Sequence, residues 1–224
     1  MTNKSPICTV DVVLLTLKNE KLHVALFRRA AEPFLDTIAL PGGYIHVDED
    51  ADTYAAAMRV LESKTGVRPA YLEQLQTYSG PDRDPRGWSV SVAYYALIEA
   101  SVIEAGASPE LTFRPVDDLP AMPFDHETIV DDAVGRVRAK GFYSSLPAHL
   151  AGDVFSLSGL QKTYEAVMGE PTNQYSFRRK VLAEGFLEPV TDLAEYGAGR
   201  AATVYRLKPE YRERLFITRR PFNS

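Results

Sequence analysis

Three groups of residues have the types and spacing to do chemistry. The first is acidic: His46-Val47-Asp48-Glu49-Asp50-Ala51-Asp52 stands ahead of a helical stretch and offers carboxylates, the ligands that hard divalent cations require. It lacks the glycine and terminal glutamate of a calcium loop, so the plainer reading is a solvated acidic turn. The second group is cationic. Arg83 and Arg86 lie in the Pro- and Gly-rich loop Ser79-Gly80-Pro81-Asp82-Arg83-Asp84-Pro85-Arg86-Gly87, where guanidinium groups can clamp phosphate oxygens or pair with Asp82 or Asp84. Lys64 is either a further phosphate partner or a plain surface lysine. Trp88, Tyr94, Tyr95 and Phe34 either stack on a nucleobase or fill a core. The third group is Arg178-Arg179-Lys180 in a C-terminal helix. With Phe177 and Val181 turned to the core, Thr172, Ser176, Arg179 and Lys180 fall on the opposite face. Arginine pairs bidentately with guanine, serine reaches base edges and lysine contacts phosphate, so this is either a DNA-reading face or a solvated basic one. Asn173, at the helix start, is grouped with the DNA contacts. Arg178 sits nearer the core and should touch phosphate or an acidic neighbour. Arg200 follows a Gly197-Ala198-Gly199 tip that lets it reach phosphate or a narrow minor groove. The four histidines show no ligand spacing, and His126 reads as a helix-terminus residue. No Ser-His-Asp or Cys-His arrangement, P-loop or dinucleotide fingerprint is present.

The elements that must position these groups are legible. Ile7 to Leu17 and Leu22 to Arg28 form an opening hairpin around Lys18-Asn19-Glu20-Lys21. Pro41-Gly42-Gly43 leads to a helix from Asp50 or Asp52 to Thr65, with acids favoured at its start and Gly66 suited to its C-cap. Tyr71 to Tyr78 and Trp88 to Ala100 read as strands, and Leu111-Thr112-Phe113 as a candidate third. A helix runs from Asp125, its N-cap, through Ala139. Past Leu146 the pattern changes. Ser158 caps a helix carrying Leu160, Tyr164, Val167 and Met168 at helical spacing, and Gly169-Glu170-Pro171 ends it. A second helix, Asn173 to Ala183, buries Phe177, Val181 and Leu182. Phe186 to Val190 and Ala202 to Leu207 follow as strands around the Tyr196–Arg200 loop. Helix, short turn, helix, hairpin is the order of a winged helix-turn-helix. The fold class is α+β, with domains at 1–149 and 150–224.

The whole chain bounds the function. At 224 residues and 45% hydrophobic, it can build one large core or two modest ones. Its net charge is −5, but residues 1–150 contribute −7 and residues 151–224 contribute +2, which permits a nucleic-acid contact confined to the second part. The single cysteine, Cys8, excludes an intramolecular disulfide; its apolar surroundings predict a buried strand residue, and a reducing cytoplasm fits. No signal peptide opens the chain and no apolar run could span a bilayer, so a soluble protein without membrane partners is expected.

Two resemblances add to this reading. Leu40-Pro41-Gly42-Gly43 through Arg59-Val60-Leu61-Glu62-Ser63-Lys64-Thr65-Gly66-Val67 resembles the Nudix box, in which three carboxylates on one helix face hold divalent cations against a pyrophosphate. Here those positions are Val60, Ser63 and Lys64, and a two-residue insertion lies between Glu49 and Arg59. Glu62 falls on the far side of the helix from Val60. The box therefore looks kept for binding rather than hydrolysis. Its competitor is an ADP-ribose pyrophosphatase with unusual ligands drawn from Glu49, Asp50, Asp52 or Glu62. With the Arg83–Gly87 loop, the strand Val90–Leu97, Phe124-Asp125-His126 and Phe177-Arg178-Arg179-Lys180, nearly the whole chain resembles the NrtR family, the Nudix-related transcriptional regulators of NAD metabolism. The resemblance implies a Nudix α/β/α sandwich that binds ADP-ribose or a related metabolite as effector, fused to a winged helix that represses operons as a homodimer on double-stranded operator DNA; some relatives keep the hydrolase carboxylates, so the expectation of no metal and no cofactor rests on Val60, Ser63 and Lys64. The effector site would draw on Arg28, Gly42, Gly43, Lys64, Arg83, Arg86 and Trp88, and the DNA site on Thr172, Asn173, Ser176, Arg178, Arg179, Lys180 and Arg200.

Overall fold

The computed structural model describes residues 5–106, 108, 110–190 and 203–223. Its first strand, β1 (Ile7–Lys18), forms a hairpin with β2 (Lys21–Arg28) and is followed by the short strands β3 (Ile38–Ala39) and β4 (Gly42–Tyr44). Helix α1 (Thr53–Thr65), strands β5 (Leu72–Gly80) and β6 (Ser89–Leu97), helix α2 (Ala100–Gly106), strand β7 (Leu111–Pro115) and helix α3 (His126–Gly141) complete the first half. The sheet runs β3-β2-β1-β6-β5, with β4 paired to β1 and β7 to β2. Period-two alternation along the central strands supplies two cores, one on each face. Val13 and Leu15 of β1 with Tyr95 and Leu97 of β6 pack under Ile129, Val130, Ala133 and Val137 of α3. Val12 and Leu14 with Tyr94 and Ala96 pack under Ala56, Ala57, Val60 and Leu61 of α1 and Ile103 of α2. The result is the expected α/β/α sandwich.

The second half begins with β8 (Phe155–Ser156), α4 (Leu157–Met168) and α5 (Gln174–Glu184) and ends in β9 (Leu187–Val190) and β10 (Val204–Leu207). The three strands pair in the order β8-β10-β9, giving a helix pair backed by a wing. Both helices stop at glycines in the left-handed conformation, Gly169 (φ 75°) and Gly185 (φ 72°), where a Cβ would be strained. The halves are not beads on a string. Val167 of α4 is buried in the α3 core of the sandwich, the Tyr164 hydroxyl donates to Ser144 O at 2.9 Å, and Lys162 pairs with Glu20 at 2.9 Å. No helix among the described residues is long and apolar enough to cross a membrane.

Several expectations need correction. Ser156, not Ser158, caps α4, accepting from Gly159 N at 3.0 Å, because β8 feeds straight into the helix. Leu182 is exposed, since Phe177 and Val181 alone face the core. Cys8 is exposed, lying at the open start of β1 before the first fully buried residue, Val10. Asp125 precedes α3 without a side-chain capping bond, its carboxylate being turned to Arg83 instead. Helix α2 was not anticipated, its seven residues being too short to show periodicity.

The C-terminal tail completes the second core. Phe222 is 1% exposed and its ring centroid lies 5.2 Å from Tyr164, 6.2 Å from Phe177 and 6.1 Å from Phe186. Phe222→Ala is therefore expected to cost about 3–5 kcal/mol, as for other buried aromatics. Thermal denaturation of the pure protein checks this: a midpoint unmoved from wild type would mean that the tail packs loosely.

Candidate functional site

The glycines of the Pro41-Gly42-Gly43 turn are dictated by what lies behind them. Strand β4 pairs with β1 through Gly42 opposite Asp11 and Gly43 opposite Val10. A Cβ on Gly42 would stand 2.1 Å from Asp11 Oδ1, and one on Gly43 2.9 Å from Val60 Cγ2. Both contacts are closer than atoms tolerate. Beside this turn opens a cavity of about 460 Å³, large enough for a nucleotide-sized ligand. Its wall takes Arg28 from the end of β2 and Arg29 from just beyond it, Val60, Ser63 and Lys64 from α1, Arg83, Asp84 and Arg86 from the β5–β6 loop, and Phe124 and His126 from the entry to α3. Positions 60, 63 and 64 do share a face, as helical spacing predicts.

Under the cavity lies a buried network centred on Asp11, which is 5% exposed. Ser91 Oγ donates to its Oδ2 at 2.6 Å, and Arg83 Nη2 lies 3.7 Å from the same oxygen. His126 Nδ1 accepts from Leu40 N at 3.1 Å, so the ring proton sits on Nε2, which faces Asp11 Oδ1 at 3.5 Å. Burial pushes the Asp11 carboxyl up, but His126, Ser91 and Arg83 outweigh it and hold the group below the usual carboxylate range. Arg83 in turn grips Asp125 with two bonds of 2.9 and 2.7 Å and donates to Ser89 Oγ at 3.2 Å. Its side chain is only 8% exposed, so Arg83 belongs to the wall rather than to a mobile clamp. The expected partners Asp82 and Asp84 are not the ones it takes.

Arg86 has the opposite character. It forks onto the buried Asp84 at 3.0 and 2.7 Å, donates to the Tyr44 hydroxyl, and keeps a third of its side chain open toward the cavity. The fork pulls the Asp84 carboxyl below its ordinary range. Arg29 lies close by, its charge disfavoured first by burial and then by Arg86, a pair that an anion would relieve. Arg28 Nη1 donates to Asp36 O at 2.7 Å, and the Lys64 ammonium stands exposed 6.0 Å from the Phe27 ring centre. Trp88 is 51% exposed and outside the cavity wall, because it stands at the entry to β6. Tyr94 and Tyr95 are core residues, and Phe34 packs edge-on against Phe124.

The acidic loop is occupied with its own architecture. Asp50 takes two bonds of 2.7 Å from Arg59, which draws its carboxyl down to about 2, and a third from His46 N. Arg59 also reaches Tyr44 O at 2.9 Å, tying the loop to β4. Asp52 caps α1 through Ala55 N at 2.8 Å, Glu49 pairs with His46 at 3.0 Å, and Glu62 lies 3.6 Å from Arg68 on the outside. Among the described residues, no three His, Cys, Asp or Glu side chains converge as metal ligands. Sequence reasoning missed Asp11, Arg29, Tyr44, Phe124 and His126 as parts of the site. The available signal was Asp11 itself, a lone charge in an apolar strand that had to find partners.

The second candidate site is the outer face of α5. Asn173 caps the helix through Ser176 N at 3.0 Å, and the Thr172 hydroxyl bonds Glu165 at 2.9 Å and Gln161 at 3.1 Å, closing the turn from α4. Ser176 is half-buried on the flank of the helix. Lys180 leans on the tail, donating to Pro221 O at 2.8 Å. Arg178 is half-buried with its Nε unbonded and has no acidic partner among the described residues, which leaves phosphate of the two partners expected for it. Arg179 is exposed, its guanidinium 5.8 Å from the Tyr175 ring centre. Arg200 and its loop lie outside the described residues.

Comparison with known proteins agrees with this architecture. Residues 9–133 match the NUDIX domain model, and residues 147–207 match the model of the NrtR DNA-binding winged helix domain. The chain is 34% identical over 207 residues to the ADPR responsive transcriptional repressor NtrR of Acinetobacter baylyi, covering 90% of this chain and 82% of that one. It is also 34% identical over 110 residues to an ADP-ribose pyrophosphatase of Methanocaldococcus jannaschii, covering 49% of this chain and 64% of that protein. The crystal structure of Shewanella oneidensis NrtR superposes with a TM-score of 0.87 at 34% identity, covering 96% of this chain and 99% of that one. The same protein complexed with a 27mer DNA gives 0.85 at 35% identity over 96% and 98%, and its NUDIX domain complexed with ADP ribose gives 0.53 at 37% over 59% and 89%. With a Nudix sandwich and an NrtR-type winged helix matched along nearly its full length, the chain belongs to the NrtR family.

Proposed function

We propose that this protein is a transcriptional repressor of NAD-metabolism genes that senses ADP-ribose, or a related NAD metabolite, through a Nudix domain that does not hydrolyse it. The observation that carries the reading is the wall of the cavity. Arg28, Lys64 and Arg86 line it as exposed cations, while Val60, Ser63 and Lys64 occupy the helix face where a hydrolase holds its metal-binding carboxylates. Arg86, Lys64, Arg28 and Arg29 supply positive charge for a pyrophosphate, with Gly42 and Gly43 allowing close approach. The DNA and ADP-ribose complexes of the Shewanella protein support both halves of the reading. A repressor of this kind works in the cytoplasm, as a homodimer whose two α5 helices meet half-sites about one DNA turn apart.

The path from effector to DNA runs along α3. Phe124 and His126, at its start, line the cavity; Arg83 of the cavity wall grips Asp125; and the body of α3 packs on α4 of the winged helix. Occupancy shifts the population of α3–α4 arrangements toward one that no longer fits the operator, releasing it.

Three outcomes follow. In a mobility-shift assay the protein should retard operator DNA and lose it on addition of ADP-ribose, while incubation with ADP-ribose and Mg²⁺ yields no AMP. AMP release that depends on Glu49, Asp50, Asp52 or Glu62 would establish the pyrophosphatase instead. Lys64→Ala, which removes one charged contact from an exposed position, should weaken ADP-ribose binding roughly tenfold in calorimetry without moving the melting temperature. Linkage requires that operator DNA weaken ADP-ribose binding by the same factor by which ADP-ribose weakens the operator complex. Unequal factors in paired titrations would exclude a simple two-state release.

A further inference from the structure

We propose that Tyr175 and Arg179 form one base-reading unit on α5: Arg179 takes a guanine in the major groove, and Tyr175 holds its guanidinium in the orientation that does so. The proposal rests on the DNA-binding reading above and assigns the residues that give it sequence preference. Of the residues that helical spacing singled out first it keeps Arg179, and it adds Tyr175. Thr172 and Asn173 are engaged in closing the turn and capping the helix, and Lys180 leans on the tail. What remains on the face opposite Phe177 and Val181 is Tyr175, Arg179 and Leu182, spaced i, i+4 and i+7.

The fold does not account for Tyr175. It is 74% exposed, and its hydroxyl has no hydrogen-bond partner among the described residues. Arg179 likewise has no ion pair or hydrogen bond there; its one contact is the Tyr175 ring, 5.8 Å from the guanidinium carbon. That distance is within cation–π range, and a ring beneath the guanidinium removes rotamer freedom that an arginine otherwise loses on binding. Tyr175 is the second residue of α5, and the N-terminal turns of the second helix are the part of a helix-turn-helix that meets base edges. Guanine O6 and N7 accept two parallel N–H bonds, which a guanidinium presents as a rigid planar fork and an ammonium only as rotatable donors on a flexible stem. Leu182 extends the same exposed face one turn further on.

The test is the base preference of the full-length protein, selected from randomised duplexes, for wild type, Arg179→Lys, Tyr175→Ala and Tyr175→Phe. Both side chains face solvent, so all four proteins should melt alike. Wild type should favour guanine over other bases at one position per half-site by about tenfold to a hundredfold. Arg179→Lys and Tyr175→Ala should each flatten that same position, Tyr175→Phe should keep it, and binding to random duplex should be unchanged because charge is conserved. A preference retained in Tyr175→Ala, lost in Tyr175→Phe, or flattened at different positions by the two substitutions overturns the unit. A wild type that selects no sequence at all overturns the DNA-binding reading, and this proposal with it.

Discussion

A carboxylate buried in the central strand of a sheet has to be answered by its surroundings, since an isolated charge taken out of water is penalised by several kcal/mol even after relaxation. Asp11 stands in that position between strands β4 and β6, and much of the cavity wall is the answer to it. Ser91 comes from the neighbouring strand, His126 from the entry to α3 and Arg83 from the β5–β6 loop. Arg83 cannot be left with one distant partner, and Asp125 completes its fork. Even Gly42 belongs to the same requirement, because a side chain there would collide with the Asp11 carboxylate. Four segments remote in sequence are thus drawn to one end of the sheet, and the cavity lies among them.

The two ionic pairs of the β5–β6 loop divide the work between rigidity and reception. Arg83 is enclosed and fixes the loop to α3; Arg86, braced on Asp84, leaves part of its surface to the cavity. Facing them across the opening is the α1 wall with Val60, Ser63 and Lys64. Arg59 and Asp50 show the same economy on the outer side, where a loop rich in acids is folded around one arginine. In this arrangement Asp50 and Asp84 are each held by a guanidinium group, and Arg28, Lys64 and Arg86 line the cavity as exposed cations.

The winged helix is held to this sandwich by burial rather than by a tether. Val167 reaches into the α3 core, the Tyr164 hydroxyl bonds the connecting segment, and Phe222 returns from the end of the chain to close the aromatic cluster of Tyr164, Phe177 and Phe186. A helix that contributes to both cores is a natural element for coupling them, since packed interiors shift between discrete arrangements rather than deform continuously.

By itself the sequence determined most of the longer elements and their order, because periodicity and turn glycines are local: the hairpin, α1 with Gly66 beyond it, the helix pair and the wing were legible in the alternation and spacing of apolar residues, whereas α2 and the two- and three-residue strands β3, β4 and β8 are too short to show a period. It also determined that positions 60, 63 and 64 share one helix face, a matter of helical pitch alone. What only the tertiary structure decided was which polar residues meet. Asp11, Arg83, Asp125 and His126 lie as many as 115 residues apart, and no local rule joins them. The same holds on α5, where spacing named a basic face but packing reassigned it: Thr172 and Asn173 were taken by the turn and Lys180 by the tail, leaving Tyr175 and Arg179 outward. Local propensity fixes the shape of each segment; the partners of a charge are set by the neighbours that burial brings to it.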